Sequence, residues 1–360
     1  MTLRYGLIGS GMMGHEHIRN VALTDGAEIV AVSDPDTAMR QSAKELAGES
    51  VQAFDTVSDL LSADICDAFI IAAPNDTHHQ ILLDILDANK PILCEKPLCT
   101  TIEHCREVLA KAEGKAPVWV AMEYRYMPPL QRFIRMVHEG VAGDPIMLSI
   151  REHRFPFLPK VGDWNRFSQR TGGTLVEKCC HFWDLMRLIL QSDPVRVYAS
   201  AAMDVNHLEE RYEGRQPDII DNAFVIVNFA NGARAMLDLC MFAEASYWQE
   251  VLSATGAKAR IDACIPAYEK FWQPGEERHA KVVVSDRETC KVTDEEIPVD
   301  PDILAAGSHH GSTFYQHRKF AEMVRNGGTR PEVSLEDGMW AVRVGAAAEK
   351  SARTGQSVTL

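Results

Sequence analysis

The turn Gly9-Ser10-Gly11-Met12-Met13-Gly14 constrains this chain more than any other stretch. It follows an apolar run, 3–8, that reads as a buried strand, and it opens a helical period reaching about Leu23. In such a strand–turn–helix the first glycine allows the tight bend and the second lets a ligand approach the backbone. The third lets the helix pack close to the strand. The helix start also offers unpaired N–H groups and the positive end of the helix dipole. Gly9, Gly11, Met12, Met13 and Gly14 are therefore expected to cradle an anionic ligand.

The following hundred residues alternate in the same way. Strand-like runs at 27–33, 51–54, 66–73, 91–94 and 117–122 are separated by helical periods near 36–47, 56–62, 77–88 and 102–113. Continuous apolar strands between helices predict an α/β fold with a doubly wound parallel sheet covered on both faces. Asp34 ends the second strand, 20 positions past Gly14. There a carboxylate accepts hydrogen bonds from a dinucleotide's ribose hydroxyls and repels a 2′-phosphate, so NAD is expected. Pro35 follows, and Arg40 keeps NADP open.

Two further strand ends face the crevice where ligands sit in such sheets. Pro74 and Asn75 end one, and Asp76 or Thr77 can cap the next helix. His78 and His79 read either as cap-region or surface residues or as crevice residues, and His78 is counted with the cofactor-binding set. The other end is Glu95-Lys96-Pro97. Its charges read either as a structural pair or as a lysine poised over the nicotinamide end of a dinucleotide.

Composition narrows the class. A formal charge of −14 over 360 residues disfavours nucleic acid and anionic membranes. No apolar run approaches the ~20 residues of a bilayer span. The N-terminus lacks a signal-peptide layout, and the nine cysteines include no C-x-x-C. Reduced thiols and a cytoplasmic location are expected.

From about Met127 the pattern changes. An amphipathic helix and a strand lead into an irregular stretch, 155–172, containing Lys160, Trp164, Arg166 and Arg170. Loops of this length usually bind or cover something, and this one has the donors and the aromatic face a sugar needs. Gly172-Gly173 then precede a helix expected over 174–190, on which Glu177, His181 and Asp184 share one face. Adjacent Cys179 and Cys180 point too far apart to chelate one ion well, so no metal is expected. Later strands include a hairpin turning at Asn231-Gly232. The stretch 286–310 is weakly patterned, and Ser312 is expected to cap a helix. His309 and His310 either line the pocket or belong to the cap region.

The segments YGLIGSGMMG, VSDPD, APNDTHH and CEKPL, followed by GGTLVEKCCHFWDLM, resemble the Gfo/Idh/MocA oxidoreductases, the glucose–fructose oxidoreductase and inositol dehydrogenase group. The resemblance implies a Rossmann domain and a second α/β domain with a largely antiparallel open sheet, here taken as 1–124 and 125–360. That sheet often supplies an oligomer interface, so a homodimer or homotetramer is expected. Hydride transfer between NAD(P) and a sugar, polyol or related alcohol is implied. The family's lysine falls on Lys96 and its histidine on His181. The acid four residues earlier, usually aspartate, is Glu177.

The chemistry suits these groups. Oxidising an alcohol removes the hydroxyl proton as hydride leaves the carbon, and a histidine titrates in the right range to take it. A lysine beside it stabilises the developing alkoxide. His181 is expected as base, Lys96 as the oxygen's polariser, and Glu177 and Asp184 as groups that orient the ring or hold neighbouring hydroxyls. The catalytic set is Lys96, His181 and Glu177. The substrate set adds Tyr124, Arg125, Trp164, Arg166 and Lys178, and the basic residues Lys160, Arg166, Arg170 and Lys178 hint at an anionic substrate. The cofactor set is the glycine turn with Asp34, Pro74, Asn75, His78, Glu95 and Lys96. Two alternatives stand beside the dehydrogenase: an NAD-dependent glycoside hydrolase that oxidises a ring carbon transiently, and a non-catalytic dinucleotide sensor.

Overall fold

The computed structural model describes residues 2–307 and 309–360. Its first half runs β1 (Leu3–Ile8), α1 (Met12–Ala22), β2 (Ala27–Ser33), α2 (Thr37–Ala47), β3 (Gln52–Phe54), α3 (Val57–Ala63), β4 (Ala68–Ile71), α4 (His78–Ile85), β5 (Ile92–Cys94), α5 (Ile102–Ala112) and β6 (Val118–Val120). The strands form one parallel sheet in the order β3-β2-β1-β4-β5-β6. Helices on both faces bury β4 and β5 completely, which is why these strands read as unbroken apolar runs. Each buried Leu or Ile contributes roughly 1.5–3 kcal/mol. Helix starts follow local chemistry. Asp36 accepts from the Ala38 and Met39 N–H groups, Thr56 from that of Asp59, and Thr101 from that of His104. The strand order reverses between β1 and β4, and the crevice lies beyond their carboxyl ends.

The second half contains α6 (Pro128–His138), β7 (Met147–His153), α7 (Ser168–Thr171), α8 (Thr174–Glu177) and α9 (Cys180–Leu190). Then come β8 (Pro194–Ala202), β9 (Asn222–Phe229), β10 (Arg234–Cys240), β11 (Trp248–Thr255), β12 (Ala259–Pro266), β13 (Lys281–Asp286) and β14 (Val292–Glu296). The chain closes with α10 (Pro301–Ala306), α11 (Ser312–Arg325), α12 (Leu335–Thr354) and β15 (Val358–Thr359). The nine-stranded sheet has the order β14-β13-β12-β11-β7-β10-β9-β8-β15 and is antiparallel except where β7 pairs with β10. The β9–β10 hairpin turns at Asn231-Gly232, with Gly232 at φ 87° and the Asn231 side chain accepting from the Ala233 N–H.

One face of this sheet carries α12, which packs on β8 and in turn on α9. The other is open, and Tyr198, Ile226 and Met236 stand across from one another on β8, β9 and β10. Phe224 on the same face is 61% exposed. The last helices return to the first sheet. α12 packs on α5 and β6, and the Val120 N–H donates to Val333 O at 3.1 Å.

Three expectations are corrected. The helix expected over 174–190 is broken at Lys178–Cys179, where the Cys179 N–H reaches back five residues to Thr174 O. Ser312 begins α11 rather than capping it, and Gly311, at φ 76°, holds the cap position. The weakly patterned stretch 286–310 contains β14 and α10.

Candidate active site

The crevice at the switch point opens into a cavity of about 760 Å³. Gly9, Gly11, Met12 and Met13 form one wall, Asp34, Pro74 and Asn75 the next, and Glu95 and Lys96 the inner end. Gly9 sits at φ 87°, and a Cβ there would lie 2.6 Å from Ala73 N. A Cβ on Gly14 would meet Gly9 O at 2.6 Å. Gly14 is thus the close-packing glycine and does not itself line the cavity. At Gly11 a Cβ would meet nothing within 4 Å, and α1 begins without a side-chain cap. Open space in front of unpaired N–H groups fits a pyrophosphate. Asp34 is held by the N–H groups of Ser10 (2.8 Å) and Asp36 (2.9 Å) with its carboxylate on the cavity wall. Arg40 is occupied by Asp34 O, Thr37 and Asp55 and lies outside the lining.

The second half roofs this cavity through Pro159, Lys160, Val161, Trp164 and Arg170. Arg170 pairs with Asp76 at 2.8 Å across the cleft. Asp76 is therefore an inter-element ion-pair partner and caps nothing, and Thr77 turns back to Pro74 O. His78 leaves the cofactor set. It is fully buried, with its ring nitrogens on Pro97 O (2.8 Å) and Ala73 O (3.0 Å), and ties the ends of β4 and β5 together. His79 stacks on His104 and meets Glu107 at 2.8 Å.

A second cavity of about 730 Å³ adjoins the first. Met12, Met13, Lys96 and Lys160 line both, so the two meet where β5 ends. Glu95 does not pair with the Lys96 ammonium. It is buried and faces His17 Nε2 at 3.1 Å. The Lys96 ammonium instead donates to Glu177 O at 3.4 Å. Burial pushes the Lys96 pKa down, but Cys180, Glu123, Glu95 and Glu177 outweigh it and hold the pKa above the ordinary value.

His181 lines the second cavity with Lys96, Glu177 and Lys178. Its ring lies flat on Tyr124, centroids 4.1 Å apart and planes within 5°. Tyr124 supports the imidazole from behind, and its hydroxyl accepts from Lys178 Nζ at 2.6 Å. Burial, then the cations Lys96 and Lys178, keep His181 well below its usual pKa and therefore neutral. Lys178 also pairs with buried Glu152 at 2.9 Å.

Other expected substrate residues lie elsewhere. Arg125 and Asp184 form a buried ion pair, and Arg125 also donates to Glu332 O at 2.9 Å. Neither lines either cavity, so Asp184 does not orient His181. Arg166 is buried against Glu210 at 2.9 Å. Trp164 faces the first cavity, with Lys160 Nζ 4.5 Å over its ring. Glu177 stands 3.6 Å from Lys160.

The carboxylate that faces His181 is Glu123, Oε1 to Nε2 at 3.6 Å, and sequence spacing did not single it out. Its position just past β6 was the available signal, since strand ends line the crevice. His309 and His310 both line the second cavity, and His309 pairs with Glu16 at 3.0 Å. All nine cysteines are unpaired. Among the described residues no group of three or more His, Cys, Asp or Glu is arranged to hold a metal, and no helix is long and apolar enough to cross a membrane.

Comparison with known proteins agrees with this architecture. Residues 3–124 match the model "Oxidoreductase family, NAD-binding Rossmann fold" of the Gfo/Idh/MocA group, and 134–360 match its "Oxidoreductase family, C-terminal alpha/beta domain". Inositol 2-dehydrogenase of Rhizobium meliloti (strain 1021) is 31% identical over 252 residues, 70% of this chain and 72% of that protein. A probable dehydrogenase from Thermotoga maritima superposes with a TM-score of 0.78 at 25% identity, covering 99% of this chain and 98% of that one. Levoglucosan dehydrogenase, solved with NADH and levoglucosan, gives a TM-score of 0.83 over 100% of this chain and 99% of its own. At 19% identity that likeness is one of fold. The chain belongs to the Gfo/Idh/MocA oxidoreductase family and is an NAD(P)-dependent oxidoreductase acting on a CH–OH group.

Proposed function

We propose that the protein oxidises a secondary alcohol of a sugar, polyol or sugar acid with NAD as acceptor, and that Lys96 and His181 act on the carbinol oxygen. The observation that carries this reading is the lining of the two cavities. Lys96 borders both, and His181 borders the second beside it. Gly9, Gly11, Met12, Met13 and Asp34 would hold the dinucleotide, and the bound nicotinamide supplies the hydride acceptor. The charged Lys96 ammonium polarises the oxygen and stabilises alkoxide character. The neutral His181 imidazole accepts the hydroxyl proton. Tyr124 keeps the ring in one plane, and Glu177 is available to hold a neighbouring hydroxyl. The carboxylate of Asp34 and the diversion of Arg40 support NAD over NADP. The relationship to an inositol 2-dehydrogenase supports a polyol or sugar.

The size of the second cavity favours keeping one alternative. Its outer wall, with Tyr268 and Trp272, leaves room for a second ring, as redox-neutral glycoside cleavage would require. The test is a panel of myo-inositol, aldohexoses, their uronic and aldonic acids, and aryl glycosides, with NADH formation and aglycone release both measured. Lys96→Ala and His181→Ala should abolish turnover while NADH binding persists. Near-normal turnover in both variants would overturn the assignment, and aglycone release without net NADH would select the alternative.

The open face of the nine-stranded sheet supports a homodimer or homotetramer. Its row of Tyr198, Ile226 and Met236 with exposed Phe224 is apolar enough to seat a second copy.

A further inference from the structure

We propose that Glu123 is a second proton-transferring residue, forming with His181 a carboxyl–imidazole pair that takes the alcohol's proton. The proposal rests on the reading of His181 as the group that meets the carbinol oxygen.

The fold brings the two groups together from distant segments. β5 and β6 are neighbours, with Cys94 opposite Val120. Lys96 stands two residues past the end of β5, and Glu123 three past the end of β6. Both residues therefore rise from the same rim into the second cavity. Glu123 and His181 are each 2% exposed, and Glu123 Oε1 lies 3.6 Å from His181 Nε2. The remaining heteroatoms, Glu123 Oε2 and His181 Nδ1, are buried without hydrogen-bond partners. The cavity is thus met by the Nε2/Oε1 edge, and a substrate hydroxyl between them would satisfy both. The flat stack on Tyr124 holds the imidazole in that orientation.

Of the neighbouring acids, Glu95 faces His17 and Asp184 holds Arg125, while Glu177 has one oxygen 3.6 Å from Lys160, which leaves Glu123 as the acid that meets His181. The charged and titratable groups around Glu123 include Glu95 and Lys96 from the end of β5, Cys180 and His181 from α9, and His309 from the segment before α11. Burial, then Glu95, pushes the Glu123 carboxyl up to about 7, against the pull of His309 and Lys96. His181 is pushed the other way. The carboxyl is therefore the member whose protonation changes near neutral pH, and the two titrate as a pair.

In oxidation the carbinol O–H bond breaks and its proton passes to His181 Nε2 and on to the Glu123 carboxylate. The C–H bond breaks with its electron pair, which leaves as hydride to the nicotinamide, and the carbon–oxygen double bond forms. Reduction runs the same transfers backwards. A histidine so far depressed is a weak resting place for the proton, and a carboxyl near 7 is a matched one.

The first test needs no substrate. In the free protein, infrared titration should show a buried protonated carboxyl that ionises near pH 7, is absent in Glu123→Gln and is shifted in His181→Gln. The second uses the panel compound with the highest kcat/KM. Glu123→Gln should lower kcat about 100-fold, change KM little and remove the neutral limb of the pH profile, while Glu177→Gln keeps that limb. If Glu123→Gln fails to fold, Glu123→Asp decides, because it keeps the carboxyl but withdraws it from His181 and should also lower kcat. Because burial also pushes Glu250 and Glu349 up to about 7, the signal read is the difference from Glu123→Gln, and the same neutral-titrating carboxyl signal in wild type and Glu123→Gln would overturn the proposal. So would an unchanged pH limb in Glu123→Gln, or an unchanged kcat in Glu123→Asp, while His181→Ala is inactive. Normal turnover in His181→Ala would overturn the underlying reading instead.

Discussion

Asp184→Asn separates structure from chemistry at a position where sequence spacing suggested catalysis. Asp184 is 3% exposed and its ion-pair partner is Arg125, which bridges α9 to the 3₁₀ turn after β6, with Arg187 adding a weaker attraction. Burial opposes charge on Arg125, and the direct pairing with Asp184 outweighs it and keeps the guanidinium firmly ionised. Removing one member of a buried pair costs about 3–5 kcal/mol because the other charge is left uncompensated. Asp337 lies 3.8 Å from the same guanidinium and partly replaces the lost carboxylate, so the loss should sit near the lower end, about 3 kcal/mol. At about 2 °C per kcal/mol for a large chain, Tm should fall by about 6 °C. Replacing both members, Arg125→Met with Asp184→Leu, removes the stranded charge. It should cost only about 1 kcal/mol, from the lost bond to Glu332 O. Thermal melts and urea unfolding measure these changes. NADH affinity and the pH profile of turnover should match wild type. An Asp184→Asn protein that melts normally but has lost turnover would refute this assignment.

Four further outcomes are expected. Gly11→Val has no backbone strain, since φ is −74° and the space is open. Its Tm should hold while NADH affinity, read by fluorescence titration, falls at least about tenfold as the side chain fills the phosphate cradle. Asp34→Ala should shift the NAD-over-NADP ratio of kcat/KM by about 100-fold toward NADP, because a ribose acceptor and a repulsive charge leave together. Burial raises the Glu16 pKa, but His309 outweighs this and brings it to about 2 from 4.5. A depressed carboxyl stabilises above its unfolded pKa and loses that contribution as pH falls from about 4.5 toward 2. His309 is raised by the same contact, so its share is full below its unfolded value and is lost as pH rises through the folded one. Glu16→Gln should flatten urea-unfolding stability across both windows. Phe224→Glu with Ile226→Glu should convert the expected oligomer to monomer in sedimentation velocity, and an unchanged assembly would place the interface elsewhere.

Much of the fold was legible because a strand buried on both faces must be apolar throughout and must end in polar residues. Ala27–Ser33 and Ala68–Ile71 fall within the runs that the pattern marked as strands. The glycine turn was legible because each glycine answers a separate steric demand. The site was only half legible. Lys96, His181 and Glu177 line one cavity, but Asp184 is taken up by Arg125, and Glu123 carried no spacing signal. Periodicity places Glu177, His181 and Asp184 on one face only if the helix is continuous. The break at Lys178–Cys179, where Lys178 dives to Glu152 and the Tyr124 hydroxyl, has no periodic signature. The Glu123–His181 contact spans 58 positions, and the burial of Arg125 and Arg166 depends on partners that spacing does not reveal.

The roof over the dinucleotide cleft has a practical meaning for anyone recombining these halves. Because Pro159–Trp164 and Arg170 close a chamber whose floor is the glycine turn, the nucleotide-binding half is not a portable cassette. Grafted onto a foreign partner, it would keep its floor and lose its ceiling, and with the ceiling part of its grip on the ligand.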